Sequence, residues 1–436
     1  MSFRFNDGRD WFLKKRFGLF IHFGLYAIDG WHEQMQYRKG IPRKDYEKLM
    51  HRFNPQGFDP DSWLDLAEEA GMGYICFTTK HIDGFCLWDT KLTDYNSMNT
   101  PYGKDFLRLL ADACHRRSFP LCLYYSPIDN HSPYYPNQGR SYELPCPEEG
   151  DEPDIDKHMD FIRKQVFELC TGYGEIHGFW WDGADVLGVK NDSLNKMIHE
   201  LQPNAVINNR GFSRGDFDTP ERDWFGYVNE AEGFVSPVEA CQSIGVESWG
   251  FRKDEDFYTD RYLMQSIDKI MAKGGNYLLN VGPDADGRIP QEAARILKSV
   301  GKWYKAVKES FDDTKPVSDI LDNKEILFQK EGDIVTETEV VNRDVLLTMK
   351  GNMVYVHLYK NPSSTRVLLR PIDNLPLKAT LLNTGESMEV SIDVTPSSIQ
   401  EKKGFLRIRN IPANAHENTV MVIKLEFEDA GPFLRH

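Results

Sequence analysis

The feature that most constrains this chain is an alternation running from about Phe17 to Pro283, in which six short apolar or β-branched runs are separated by segments of 3.6-residue periodicity. The runs are Phe17 to Phe23, Tyr74 to Thr79, Pro120 to Tyr125, Gly178 to Trp181, Ala205 to Asn208 and Asn276 to Val281. In the first intervening segment Asp59 can cap a helix, Pro60 takes its first position, Trp63, Leu66, Ala67 and Ala70 share a face, and Gly71 ends the turn. Phe106, Leu109, Leu110 and Ala113 form a second stripe, and Ile155, Met159, Ile162, Val166 and Leu169 a third. Continuous apolar strands alternating with helices predict a parallel sheet covered on its faces. The length of the alternation favours a (β/α)8-like (TIM-type) barrel over an open sheet. No glycine-rich fingerprint follows the first run, so a dinucleotide-binding sheet is disfavoured.

After Phe311 the texture changes. Asp312-Asp313-Thr314-Lys315-Pro316 reads as a junction, followed by Val345 to Met349, a Lys350-Gly351-Asn352 turn and Met353 to Tyr359. Short strands recur at Arg366 to Arg370, Lys378 to Leu382, Met388 to Ile392, Phe405 to Ile408 and Thr419 to Leu425, predicting a C-terminal antiparallel β-sandwich. The expected division is a catalytic barrel over 1–314 and a sandwich over 315–436, the second part a buttress without evident chemistry.

Nearly every run ends in polar side chains: His22, Lys80 with His81, Ser126, Asp182, Asn209 with Arg210, and Asn280. In a barrel these ends converge on the rim that carries the active site. Asp182 stands out, because Phe179, Trp180 and Trp181 precede it directly and Gly183 follows. A buried carboxylate needs partners or a purpose, and an aromatic wall beside an acid suits a sugar ring. Glycoside hydrolysis requires a second carboxyl across the scissile bond. Glu221, Glu230, Glu232, Glu239 and Glu247 are available from later segments, and spacing does not rank them.

Other functions are disfavoured by composition. A net charge of −15 in 436 residues argues against nucleic acid or an anionic membrane surface as partner. The amino terminus lacks the apolar region of a secretory signal, and no apolar run approaches a membrane span. Seven scattered cysteines without C-x-x-C spacing fit free thiols in a reducing cytoplasm. His32-Glu33 opens like a zinc-protease helix, but Gln36 stands where the second histidine belongs. Asp284-Ala285-Asp286-Gly287 reads as a turn rather than a calcium loop. No metal and no cofactor are expected.

Seven motifs in order resemble the alpha-L-fucosidase family of glycoside hydrolases (family 29): Phe17 to Gly24, Thr78 to Asp89, Leu123 to Pro127, Trp180 to Gly183, Ile207 to Arg210, Ser248 to Phe251 and Gly274 to Pro283. The resemblance covers roughly Asp7 to Lys308 and implies a retaining exo-glycosidase that removes terminal α-linked L-fucose from short glycosides by double displacement. It implies Asp182 as the nucleophile that forms a fucosyl-enzyme, with His22, His81, Tyr124, Trp180, Arg210 and Trp249 lining the sugar pocket. Glu239, ten residues before Trp249, resembles the family's acid/base. Glu33 is its rival and otherwise a pocket residue. A separation of Asp182 and Glu239 well above the ~5–5.5 Å of retaining pairs would defeat that pairing.

Departures from the family pattern bear on specificity. Ile82 stands where a second histidine is usual, Gln34 replaces a tryptophan, and Ile128-Asp129-Asn130 lacks another. They leave open a glycosidase for a related sugar such as an α-L-galactoside, or a carbohydrate-binding homologue without catalysis. The expected partners are fucosides, and a homo-oligomer stays open because symmetric assembly is common among soluble enzymes.

Overall fold

The computed structural model describes residues 5–145, 147–221, 233–317, 324–331, 334–341, 345–360, 362–369, 374–394 and 404–430. Seven parallel strands form the main sheet: β1 (Phe17–Ile21), β2 (Tyr74–Lys80), β3 (Leu121–Tyr125), β4 (Gly178–Trp181), β5 (Val206–Ile207), β6 (Glu239–Ser243) and β7 (Asn276–Val281). Their order is β5-β4-β3-β2-β1-β7-β6. The gap between the edge strands is spanned by residues 217–221, which bridge Asn208 to Phe217, Asp218 to Val238 and Glu221 to Cys241. The expected eight-stranded wall is therefore seven regular strands closed by one irregular segment.

Strand β6 has no counterpart among the six apolar runs. Its sequence, Glu-Ala-Cys-Gln-Ser, puts Glu239, Cys241 and Ser243 on one face and only Ala240 and Gln242 on the other, so no hydrophobic run announces it. All five residues are buried.

Side-chain alternation divides each strand between two cores. Leu19, Ile21, Ile75, Phe77, Leu123, Phe179 and Leu279 face outward onto the helices. Phe20, Tyr74, Cys76, Cys122, Tyr124, Trp180, Cys241 and Leu278 fill the barrel interior. The interior rows therefore read Gly18-Phe20-His22, Cys122-Tyr124-Ser126, Gly178-Trp180-Asp182, Glu239-Cys241-Ser243 and Asn276-Leu278-Asn280. The last member of each row lies at the carboxyl rim.

The covering helices begin where their caps place them. Asp59 accepts from the Asp61 amide at Pro60–Glu69, Asp105 from Arg108 at Phe106–Arg116, and Asp154 from Asp156 and Lys157 at Ile155–Gly172. Among the described residues no helix is long and apolar enough to cross a membrane, and six cysteines are buried free thiols. Cys146 lies outside the described residues.

Beyond the barrel, Lys315–Pro316, Leu346–Lys350, Met353–Leu358, Met421–Glu426 and Lys378–Leu381 form a five-stranded sheet. Val367–Leu369, Phe405–Arg409 and Glu389–Asp393 form a three-stranded one. A hairpin of Lys324–Glu331 and Ile334–Val341 adds a pair that the sequence reading did not anticipate. Buried polar bonds help fasten the sandwich to the barrel. Trp303 donates its indole N–H to the Val420 carbonyl at 2.9 Å, and His357 meets Asp268 at 2.7 Å with both side chains fully buried.

Helix–helix packing supplies a test. A Cβ on Gly301, in the helix Gln291–Val307, would sit 2.3 Å from the Ala70 backbone, whereas one on Gly172 meets nothing within 4 Å. Gly301→Ala is expected to lower unfolding free energy by about 1–3 kcal/mol, and Gly172→Ala to raise it by up to about 1 kcal/mol. Urea titration of both variants checks the pair.

Candidate active site

Asp182 follows β4 at the rim and is held from two sides. The Tyr124 hydroxyl donates to Oδ2 at 2.9 Å, and Arg210 Nη1 donates to Oδ1 at 3.2 Å. The carboxylate remains a third exposed. Arg210 is itself fixed, with Nε on the Thr219 hydroxyl and Nη2 on the Thr219 carbonyl. Its guanidinium lies 5.0 Å from the Trp180 ring centre. It also donates to Glu221 Oε2 at 3.2 Å, so one cation bridges two carboxylates. Glu221 sits on the segment that closes the barrel, which brings it to the same rim.

The wall beside Asp182 is aromatic and continuous. Trp180 stacks on Tyr124 at 5.7 Å, and Tyr124 stacks on His81 at 5.6 Å with ring planes 9° apart. His22 meets His81, Tyr124 and Trp249 edge-on or tilted at 5.4–5.6 Å. Asn280 spends its amide nitrogen on the Ser243 hydroxyl and the Trp249 carbonyl. Its oxygen therefore accepts from His22 Nδ1 at 2.7 Å, and Nε2 of His22 is left as an acceptor. Burial first, and then His81, push the His22 pKa down to about 4, so the ring is neutral at pH 7.

Glu33 closes the far side. Its Oε2 accepts from the Ser248 hydroxyl at 2.8 Å and from the Trp249 and Gly250 amides at 2.9 and 3.2 Å. Burial works against its charge, yet His32, His81, His22 and the Ser248 hydroxyl hold the carboxyl at about 2. Glu33 Oε1 and His81 Nδ1 are buried without a hydrogen-bond partner among the described residues. Buried polar atoms are ordinarily satisfied, and hydroxyl groups of a bound sugar would satisfy these.

The structure thus gathers His22, Glu33, His81, Tyr124, Trp180, Arg210 and Trp249 around Asp182. It does not bring Glu239 there. Glu239 opens β6, is the member of its interior row farthest from the rim, and is 1% exposed. It accepts from the Tyr74 hydroxyl and from Trp180 Nε1, the latter at 3.0 Å. A carboxyl sealed at that level has no path to a glycosidic oxygen, which corrects the acid/base expectation. The error follows from the missed strand: Glu239 reads as a rim loop only if β6 is overlooked. Lys80 also leaves the pocket, its amine meeting Asp129 at 2.9 Å outside the barrel wall. Glu221 was among the candidate acids, but its pairing with Arg210 had no sequence signal. Glu230 and Glu232 lie outside the described residues, and Glu247 is exposed.

A guarded carboxylate on an aromatic rim, backed by buried acceptors, in a barrel with a sandwich behind it, defines a glycoside hydrolase. Residues 2–309 match the profile of the alpha-L-fucosidase family, and the chain belongs to that family. Alpha-L-fucosidase isoenzyme 1 from Paenibacillus thiaminolyticus superposes with a TM-score of 0.80 at 33% identity, covering 97% of this chain and 99% of that one. An alpha-L-fucosidase from Bacteroides thetaiotaomicron, trapped as a covalent intermediate with 2-fluoro-fucosyl fluoride, superposes at 0.76 with 26% identity, covering 95% and 94%. Human tissue alpha-L-fucosidase is 24% identical over 438 aligned residues, 93% of this chain and 86% of the human protein.

The position of Glu239 has a measurable consequence. Burial raises its carboxyl from the ordinary 4.5 to about 7, against the hydrogen bonds from Tyr74 and Trp180. Because the folded state holds this proton more tightly than the unfolded chain, stability should fall as pH rises from 4.5 through 7. Glu239→Gln, neutral at every pH, should remove that component and gain on the wild type by on the order of 3 kcal/mol between pH 5 and pH 8. Thermal or urea unfolding at the two pH values checks it.

Proposed function

We propose that the protein hydrolyses terminal α-linked L-fucosides with retention of configuration, with Asp182 as nucleophile. The observation that carries this reading is the double hold on Asp182 beside the unpartnered Glu33 Oε1 and His81 Nδ1. In the first step a carboxylate oxygen of Asp182 attacks the anomeric carbon. The C–O bond to the aglycone breaks, and the departing oxygen takes a proton from the acid/base. In the second step that group removes a proton from water, whose oxygen displaces Asp182 and regenerates the carboxylate. Arg210 and Tyr124 orient Asp182 for attack, and on departure they receive its charge again.

For the acid/base we take a glutamate of the 221–232 stretch, Glu221 first, because it and Asp182 bond the same Arg210 nitrogen. Neutral His22, together with His81, Glu33 and Trp249, is assigned to the sugar hydroxyls. Ile82 is buried in the apolar shell and offers no such partner, so sugars of related configuration remain alternative substrates. The described cysteines, all unpaired, support a reducing cytoplasmic compartment.

Hydrolysis of an aryl α-L-fucoside tests the assignment. Asp182→Gly should lower kcat by roughly a thousandfold or more, and added azide should restore turnover with inverted fucosyl azide as product. An acid/base variant such as Glu221→Ala should instead give azide product of retained configuration. Turnover of an aryl α-L-galactoside in preference to the fucoside would replace the substrate, and an active Asp182→Gly without azide would remove Asp182 from its role.

A further inference from the structure

The loop between β3 and the helix Ile155–Gly172 lies over the catalytic rim. Near its start, Ile128 packs on Gly183, where an added Cβ would come within 2.7 Å of Ile128 Cδ1. Further along, Glu143 is 1% exposed and pins the loop to itself. It accepts from the Tyr135 hydroxyl, the Gln138 and Arg140 amides and Arg140 Nε at 2.7–2.9 Å. Arg140 then donates to the Val186 carbonyl at 2.6 Å, four residues beyond Asp182. Asn130, buried, donates to the Tyr142 carbonyl and accepts from the Leu144 amide. The loop is thus bolted down on both sides of one residue.

That residue, Tyr142, is held at φ +72°, a left-handed conformation that bulky residues rarely adopt and that glycine takes without strain. The residue is 39% exposed, so burial does not repay the conformation. It leans on Tyr37, with ring centres 5.8 Å apart and planes at 52°. Two residues away Arg140 is tied to the Val186 carbonyl, and Ile128 packs on Gly183, which sets Tyr142 beside the Asp182 rim; the charges of Asp182, Glu221, Arg38 and Arg210 reach its phenol there. The sugar pocket itself is made of deeply buried groups: His22, Glu33, His81, Tyr124 and Trp180 are each at most 6% exposed. Tyr142 lies outside that set, on the solvent side of the rim that carries Asp182.

We propose that Tyr142, backed by Tyr37, is the platform of a leaving-group subsite that stacks on the first pyranose or aryl ring of the aglycone. The proposal rests on the fucosidase reading above. It assigns the strained backbone to aiming one aromatic face, in keeping with the clustering of such conformations at ligand clamps.

Two substrates separate the readings: 4-nitrophenyl α-L-fucoside, which has a ring to stack, and α-L-fucosyl fluoride, which has none. Tyr142→Gly should raise KM for the nitrophenyl fucoside about five- to tenfold while kcat/KM for the fluoride stays within about twofold. Tyr142→Phe should restore the low KM. Because glycine suits this φ, Tyr142→Gly should hold or raise Tm, which keeps a binding loss apart from misfolding. Equal losses on both substrates, or no change on either, would overturn the platform and leave the fucosidase reading standing. A wild type that turns over neither substrate would overturn both together.

Discussion

The site depends on one bridging cation. Arg210 touches Asp182 and Glu221 through the same nitrogen, and it is itself held at Thr219 on the segment that closes the barrel. Two carboxylates at hydrogen-bond range of one guanidinium would otherwise repel each other in a part-buried mouth. Closure of the sheet, orientation of Asp182 and placement of Glu221 therefore share a single residue. The Tyr124 hydroxyl, on the other side of Asp182, fixes the remaining oxygen.

Around that centre the barrel sorts its interior by level. Glu239, buried and raised to about 7, anchors the Trp180 indole from below. Trp180 stacks on Tyr124, and Tyr124 holds Asp182. At the top level, His22, His81 and Glu33 carry the unspent polar atoms that suit a polyhydroxyl ligand. The two carboxyls thus sit at two heights in opposite settings: Asp182 is reachable from solvent, and Glu239 is sealed from it beneath the Trp180 indole.

Much of this was legible in the chain. The strands bounded by Gly178 and Trp181 and by Asn276 and Val281 coincide with the runs read from sequence, and the sandwich strands lie within a few residues of theirs. His22, His81, Asp182 and Arg210 could be read as rim groups because they end or follow apolar runs, whereas Glu33, Tyr124, Trp180 and Trp249 were named only through the family resemblance. Glu239 could not be placed, since β6 buries a polar row and shows no hydrophobic run to betray it. The role of Glu221 was hidden for another reason. It is set by an irregular segment whose only regularity is three isolated bridges. Tyr142 escaped notice because positive φ in a tyrosine has no signature in sequence.

The central claim is that Asp182 forms the bond to the sugar. Incubation with 2-fluoro-fucosyl fluoride, followed by proteolysis and tandem mass spectrometry, reads that bond directly. The expected product is a single fluorofucosyl adduct on the peptide containing Trp180 to Gly183, localised to Asp182 and absent from Asp182→Gly. An adduct on Glu221 or on any other acid, with Asp182 unlabelled, would contradict it.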